Sequence, residues 1–261
     1  MIEGRALVTG AADRLGRAMA LKLADMGFDV AVHYSTSVEA ATETVALIQA
    51  KGRNAVAVQA DLLDMDAAEA LVPASAKALG HPLTVLINNA SIFEYDTLQT
   101  ATRVGWDRHM ASNLQAPFLL TQAFARQAPE ALKDESGEFR AQAAIINMID
   151  QRVRNLTPEF MTYTLAKMGL WALTQTSAQA LAPSIRVNAI GPGPTLQGAR
   201  QSDGHFSRQR VSTILERGPN AEDITAAMEY ILRSPALTGQ LLCIDGGQHL
   251  GWRTADVLGV E

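Results

Sequence analysis

Residues 5–16 read Arg5-Ala-Leu-Val-Thr-Gly10-Ala-Ala-Asp-Arg14-Leu15-Gly16. The apolar run Ala6-Leu-Val-Thr9 ends in a turn of small residues, and helical spacing starts at Arg14 and continues to Met26. A strand that enters a helix through such a turn presents backbone N–H groups at the positive helix end, where a pyrophosphate can be held. Gly10, Arg14, Leu15 and Gly16 are therefore candidate dinucleotide-binding residues. The other reading of two glycines here is an ordinary tight turn.

The same alternation continues outward from this unit. Further apolar runs are Val30–Tyr34, Ala55–Val58, Leu83–Ile87, Ala144–Asn147, Ile185–Asn188 and Leu241–Ile244, each short enough for a buried strand. Between them lie helical stretches at Ser37–Lys51, Asp66–Leu79, Trp106–Gln127, Tyr163–Leu181 and Asn220–Leu232. Strand and helix in alternation predict an α/β domain with a parallel sheet covered on both faces. No linker or repeat divides the chain, so residues 1–261 are read as one domain. Residues 191–218 break the rhythm and read as an irregular loop, either a substrate lid or a disordered excursion.

With 261 residues, 48% of them hydrophobic, the chain is ample for a buried core. Its 27 acidic and 22 basic residues give a net charge of −5 with no basic run, which points away from nucleic acid and membrane partners and toward a small-molecule substrate. Cys243 is the only cysteine, so no intrachain disulfide can form. The start MIEGRALVTG lacks the features of a signal peptide, and no apolar run is long enough to span a bilayer. A cytoplasmic location is the expectation. No His/Cys grouping has metal-ligand spacing, and no Gly-x-Ser-x-Gly elbow suggests a hydrolase.

The second strand tests the kind of dinucleotide, because a carboxylate at its C-terminal end would bind the ribose diol of NAD. That end reads His33-Tyr34-Ser35-Thr36-Ser37, and Asp29 lies at the wrong end. Hydroxyls and His33, with Arg14 nearby, could hold a 2′-phosphate, which favours NADPH. Ser37 also suits a helix cap. Asp61-Leu62 follows the third strand and Asn89-Ala90-Ser91 the fourth, at the sheet edge where ligands of open α/β sheets bind. Each of these also suits a turn.

Tyr163 and Lys167 stand four apart in a helical stretch and so share one face. They could be a plain surface pair. In a site, lowering a tyrosine pKa from ~10 to ~7 needs roughly 4 kcal/mol, which an ammonium at ~4 Å could supply at an effective dielectric of ~20. Tyr163 would then donate a proton near neutrality.

Taken together, Thr9-Gly-x-x-x-Arg-x-Gly16, Asp61, Asn88-Asn-Ala90, Asn113, Tyr163-x-x-x-Lys167, Pro192-Gly193 and Asp245-Gly-Gly247 resemble the short-chain dehydrogenases/reductases in order and spacing. The resemblance implies a single doubly wound, Rossmann-type domain with a mainly parallel seven-stranded sheet and helices on both faces. It makes Tyr163 the general acid/base, and Lys167 the residue that binds the nicotinamide ribose and lowers the Tyr pKa. It implies that Asn113 holds a proton-relay water, that Pro192 and Gly193 adjoin the cofactor, and that the assembly is a homotetramer.

The family usually has a serine about thirteen residues before the tyrosine, where this sequence has Asp150. A carboxylate there repels charge developing on a carbonyl oxygen and raises the tyrosine pKa. It suits a substrate with ring N–H donors or a nitrogen to be protonated. Asp150, Arg14, His33-Tyr34-x-x-Ser37 and Asn89-Ala90-Ser91-x-Phe93 resemble the pteridine reductases and the related bacterial dihydromonapterin and dihydrofolate reductases. That branch implies NADPH-dependent reduction of a pterin or dihydropterin. Phe93 would stack the pterin against the nicotinamide, Ser91 would touch cofactor or pterin, and Asp150 with Tyr163 would deliver the proton.

Two alternatives stay open: a carbonyl reductase of the same fold acting on, for example, 3-oxoacyl thioesters, and a nucleotide-binding regulator without turnover. Arg152 and Arg154 beside the site read as plain surface arginines or as contacts for an anionic substrate tail. His205 reads as a solvated lid residue. Trp252 and Arg253 lie beyond the last strand, where the family resemblance implies a tail able to reach a neighbouring subunit's pocket, and Met148, Met161 and Met168 read as core fillers or pocket lining.

Overall fold

The computed structural model describes residues 2, 4–197 and 202–252. The first half of the chain lays down strands β1 (Arg5–Val8), β2 (Asp29–Tyr34), β3 (Ala55–Gln59) and β4 (Val85–Asn88). Helices α1 (Arg14–Asp25), α2 (Val38–Ala50) and α3 (Met65–Leu79) connect them. After β4 come α4 (Arg103–Met110), a π-helical turn Ala111–Gln115 and α5 (Ala116–Gln127). A two-stranded hairpin, β5 (Leu132–Lys133) and β6 (Phe139–Arg140), then leads to β7 (Ala143–Met148), α6 (Met161–Ala180) and β8 (Ile185–Pro192). Helices α7 (Asp203–Val211) and α8 (Ala221–Arg233) precede β9 (Leu241–Ile244).

Seven strands form one sheet in the order β3-β2-β1-β4-β7-β8-β9, and every pairing in it is parallel. Strand order reverses between β1 and β4, which opens a crevice at their carboxyl ends. The period-two alternation of the strands fills two cores. Ala6, Val8, Val30 and Val32 face Met19 and Leu23 of α1 and Met228 and Ile231 of α8, while Leu7 and Ala31 face Leu71 of α3 and Leu120 and Phe124 of α5. Each such large side chain contributes about 1.5–3 kcal/mol by leaving water.

Local chemistry sets the helix ends. The Asp13 carboxylate accepts from the Arg14 N–H at 2.6 Å to open α1. The Asp64 carboxylate caps α3 by accepting from Asp66 and Ala67, and Gly80 in the left-handed region ends it.

Two expectations are corrected, and one element is new. The helix read as Trp106–Gln127 is interrupted by the π turn at Ala111–Gln115, and Pro117, which has no N–H to donate, opens α5. Residues 191–218 are not wholly irregular, because β8 runs to Pro192 and α7 is helical, capped by Ser202 accepting from the His205 N–H. The two-residue strands of the hairpin are too short to leave a periodic signal. Among the described residues, no helix is long and apolar enough to cross a membrane, and no cluster of His, Cys, Asp and Glu suits a metal ion.

Candidate active site

The crevice is knotted together by Thr9, which follows β1. Its hydroxyl oxygen accepts from Asn89 N–H at 2.8 Å and Ala90 N–H at 2.9 Å, and its backbone N–H donates to the Ile87 carbonyl at 3.0 Å. The Asn89 amide donates in return to the carbonyls of Thr9 and Gly10 at 2.8 and 3.2 Å. Two glycines shape this turn. Gly10 sits at φ +61°, and a Cβ on Gly16 would lie 1.9 Å from the Gly10 carbonyl oxygen. A turn with no room for a Cβ at Gly16, placed at the start of α1, fits a nucleotide pyrophosphate held by backbone N–H groups. Leu15 packs against the core behind it.

The residues expected to hold the 2′-phosphate divide into two groups. His33 is buried, with Nδ1 accepting from Gly10 N–H at 2.9 Å and Nε2–H donating to the Ala60 carbonyl at 3.1 Å. Burial lowers its pKa to about 4. A neutral ring with both nitrogens committed has nothing left for a phosphate, so His33 braces the glycine turn instead. Tyr34 packs partly buried against the core. Ser35 and Ser37 are exposed beyond β2, and the Ser37 hydroxyl does not cap α2, contrary to expectation. Arg14 is exposed and reaches across the crevice, donating to the carbonyls of Gln197 and Leu196 at 2.9 and 3.2 Å. Asp61 turns back to accept from Leu63 N–H at 3.0 Å, and Leu62 is buried. Pro192 ends β8, and Gly193 N–H donates to Ile244 at 2.9 Å, on the same edge of the sheet.

At the other end of the crevice, β7 and α6 bring the chemical groups together. The Tyr163 hydroxyl donates to Asp150 Oδ2 at 3.0 Å, and Asp150 Oδ1 accepts from Arg152 N–H at 2.9 Å. Lys167 is buried beneath the phenol, its ammonium 5.6 Å from the Tyr163 ring centre and donating to the Met148 carbonyl at 2.8 Å. The expected lowering of the Tyr163 pKa is not what this geometry produces. Burial and then the neighbouring Asp150 carboxylate hold the phenol well above its ordinary value. Burial also raises Asp150, and it lowers Lys167 to about 8. Tyr163 is thus a protonated phenol over the whole neutral range.

Phe93 lies beside this pair, with its ring centre 4.7 Å from that of Tyr163 in an edge-to-face arrangement. One face is stacked on Phe160 at 4.3 Å and 6°, yet the residue keeps 45% of its surface exposed. Phe160 occupies the left-handed region at φ +54°, an uncommon conformation for an aromatic residue. The Asn113 side chain turns to the loop that follows β4. Its Oδ1 accepts from Ile92 N–H at 2.9 Å and its Nδ2 donates to Ile92 O at 2.8 Å, which clamps the backbone next to Phe93. The Ser91 hydroxyl bonds to Asn113 Oδ1 at 3.3 Å and lies within reach of Tyr163.

Arg152 lies over Phe160 at 4.8 Å and donates to Thr157 at 2.7 Å, whereas Arg154 turns to Trp171 at 5.6 Å. His205 is part of α7, and Arg253 lies outside the described residues. Trp252 is 60% exposed, and Met148 belongs to the main core. Sequence reasoning missed Thr9 as a ligand of the Asn89 turn, and it missed Phe160, whose part depends on a backbone conformation that residue type does not signal.

Similarity to known proteins accords with this arrangement. Residues 5–206 match the family model described as short chain dehydrogenase. The 3-oxoacyl-[acyl-carrier-protein] reductase FabG of Staphylococcus aureus is 32% identical over 250 residues, covering 94% of this chain and 98% of that protein. The crystal structure of FolM alternative dihydrofolate reductase 1 from Brucella canis, complexed with NADP, superposes with a TM-score of 0.89 at 40% identity, covering 97% of this chain and 96% of that one. The Brucella suis FolM structure, also in complex with NADP, gives 0.89 and 40% with 97% and 98% covered. The chain belongs to the short-chain dehydrogenase family.

Proposed function

We propose that this chain is an NADPH-dependent reductase of a pterin or dihydropterin ring. The observation that carries the reading is the 3.0 Å hydrogen bond from Tyr163 to Asp150, at the position where a hydroxyl would serve a carbonyl substrate. NADPH supplies the hydride. The cradle at Gly10 and Gly16, the hydroxyls of Ser35 and Ser37 and the guanidinium of Arg14 would hold it, with Lys167 on the ribose side and Ala90, Pro192 and Gly193 at the edge of the crevice. The NADP named in both FolM structures supports this choice.

The remaining work falls to side chains of the cleft. Asp150 accepts from ring N–H donors and so fixes the orientation of a flat heterocycle, and the exposed part of Phe93 offers it a stacking surface. Burial brings the Asp150 carboxyl closer to protonation and keeps the phenol protonated, so the pair holds a proton at Tyr163 Oη for a ring nitrogen. A carbonyl substrate gains less, since the Asp150 charge opposes a developing oxyanion.

The similarity to FabG favours one second reading, a 3-oxoacyl-thioester reductase. A binder without turnover leaves the buried Lys167 beneath Tyr163 unexplained. A substrate panel tests these readings: 7,8-dihydrobiopterin, dihydrofolate, acetoacetyl-CoA and simple ketones, each with NADPH and NADH. Pterin reduction with NADPH preferred is the expected result, and turnover of acetoacetyl-CoA alone would move the assignment to the second reading. A homotetrameric, cytoplasmic enzyme belongs to the same proposal, and light scattering should give about four times the 28.0 kDa chain mass.

A further inference from the structure

The segment that carries Phe93 is fastened at two neighbouring points. Asn113 holds Ile92 on one side, and on the other the Glu94 N–H donates to His109 Nε2 at 3.2 Å. His109 is buried on α4, and its Nδ1 lies 2.7 Å from the Thr162 hydroxyl. That hydroxyl also bonds to Asp96 Oδ2, and Asp96 Oδ1 accepts from Thr162 N–H at 3.2 Å. The Asp96 carbonyl accepts from Phe160 N–H at 2.8 Å. Phe160 offers no side-chain cap to α6, so Asp96, distant in sequence, caps the helix that carries Tyr163 and Lys167.

Only one proton arrangement satisfies this chain. Glu94 N–H needs a lone pair on Nε2, so the ring proton is on Nδ1 and donates to Thr162, whose own proton goes to the Asp96 carboxylate. A protonated His109 would turn a donor toward the Glu94 N–H. We propose that neutral His109, Thr162 and Asp96 form a positioning unit that sets Phe93 against Tyr163 for the reduction. The three residues act through Phe93 and Tyr163 rather than on substrate.

The surroundings agree with a neutral ring. Asp96 and Glu94 face it from the loop, Arg108 from its own helix, and the Tyr163 ring packs 6.1 Å away from α6. Burial outweighs the two carboxylates and keeps the imidazole pKa below its usual value.

The test uses the full-length enzyme and the pair Thr162→Val and Thr162→Ser, with 7,8-dihydrobiopterin and acetoacetyl-CoA as probes. Thr162→Val should lower kcat/KM about tenfold, the effect of one buried donor left unmatched, with the NADPH Kd within about twofold of wild type. Thr162→Ser should restore kcat/KM, and His109→Gln should flatten the acid limb of the pH–rate profile. A merely structural role would lower the melting temperature without moving that limb. Unchanged kcat/KM in Thr162→Val, or no rescue by serine, overturns the proposal. If only acetoacetyl-CoA is reduced, the pterin reading fails while the same ratios still decide the positioning unit. A readout independent of turnover is 15N-histidine NMR at pH 7. His109 should show the neutral Nδ1–H form and lose it in Thr162→Val, and an Nε2–H or charged ring in wild type overturns the proposal.

Discussion

Asp150 and Tyr163 share one hydrogen bond of 3.0 Å across the end of the crevice, the phenol donating and the carboxylate accepting. Lys167, one helical turn beyond Tyr163, spends its ammonium on the Met148 carbonyl. The acidic partner therefore governs the phenol more than the basic one does, the reverse of the balance expected from Tyr-x-x-x-Lys alone. A phenol held protonated, beside a carboxyl that burial pushes toward protonation, is a proton store suited to nitrogen.

Tyr163→Phe removes the proton and keeps the ring contact with Phe93. Its kcat should fall by roughly 10²–10⁴-fold, the usual contribution of a positioned acid. Fluorescence titration should give an unchanged NADPH affinity, and a parallel loss of binding and turnover would contradict the assigned role.

Gly16→Ala places a methyl 1.9 Å from the Gly10 carbonyl oxygen, a distance no packing adjustment of the methyl alone can relieve. The turn must open, and an overpacked site of this kind typically costs about 1–3 kcal/mol. Equilibrium denaturation should show that loss, and the NADPH Kd should rise at least about tenfold. Wild-type affinity in a folded Gly16→Ala protein would mean that the turn does not hold the cofactor.

His33 carries a pH dependence with a defined sign. Its pKa is about 4 in the fold against an unfolded value of 6.5, so between these limits the unfolded chain binds the extra proton. The stability from neutral His33 is complete above about pH 6.5 and is lost as pH falls toward 4. Urea denaturation of wild type and His33→Asn at pH 7 and pH 5 should therefore converge at the lower pH, with up to about 3 kcal/mol at stake across the full shift. Equal differences at both pH values would show that the ring is not held neutral.

Much of this architecture could be read from residue order. All seven apolar runs became strands of the one parallel sheet, because alternation of buried strand and amphipathic helix depends on period and length alone. Helix interiors that are not periodic were illegible: the π turn that aims Asn113 at Ile92 falls inside the stretch read as one helix from Trp106 to Gln127. Among site residues, Tyr163 and Asp150 could be paired from a spacing of thirteen. The parts of His33 and His109 could not, since both rest on contacts between segments 15 to 53 residues apart that only the folded chain brings together. Likewise, whether Lys167 or Asp150 dominates Tyr163 depends on burial and distance, which spacing does not contain.

The central claim is that the carboxylate at position 150 selects a nitrogen ring over a carbonyl. Its most direct measurement is the ratio of kcat/KM for 7,8-dihydrobiopterin to that for acetoacetyl-CoA, in wild type and in Asp150→Ser, both saturated with NADPH. The ratio should fall by about 10²-fold or more in the variant, through loss of the pterin rate with the thioester rate equal or higher. An unchanged ratio, with the pterin still reduced at the wild-type rate, would contradict the account.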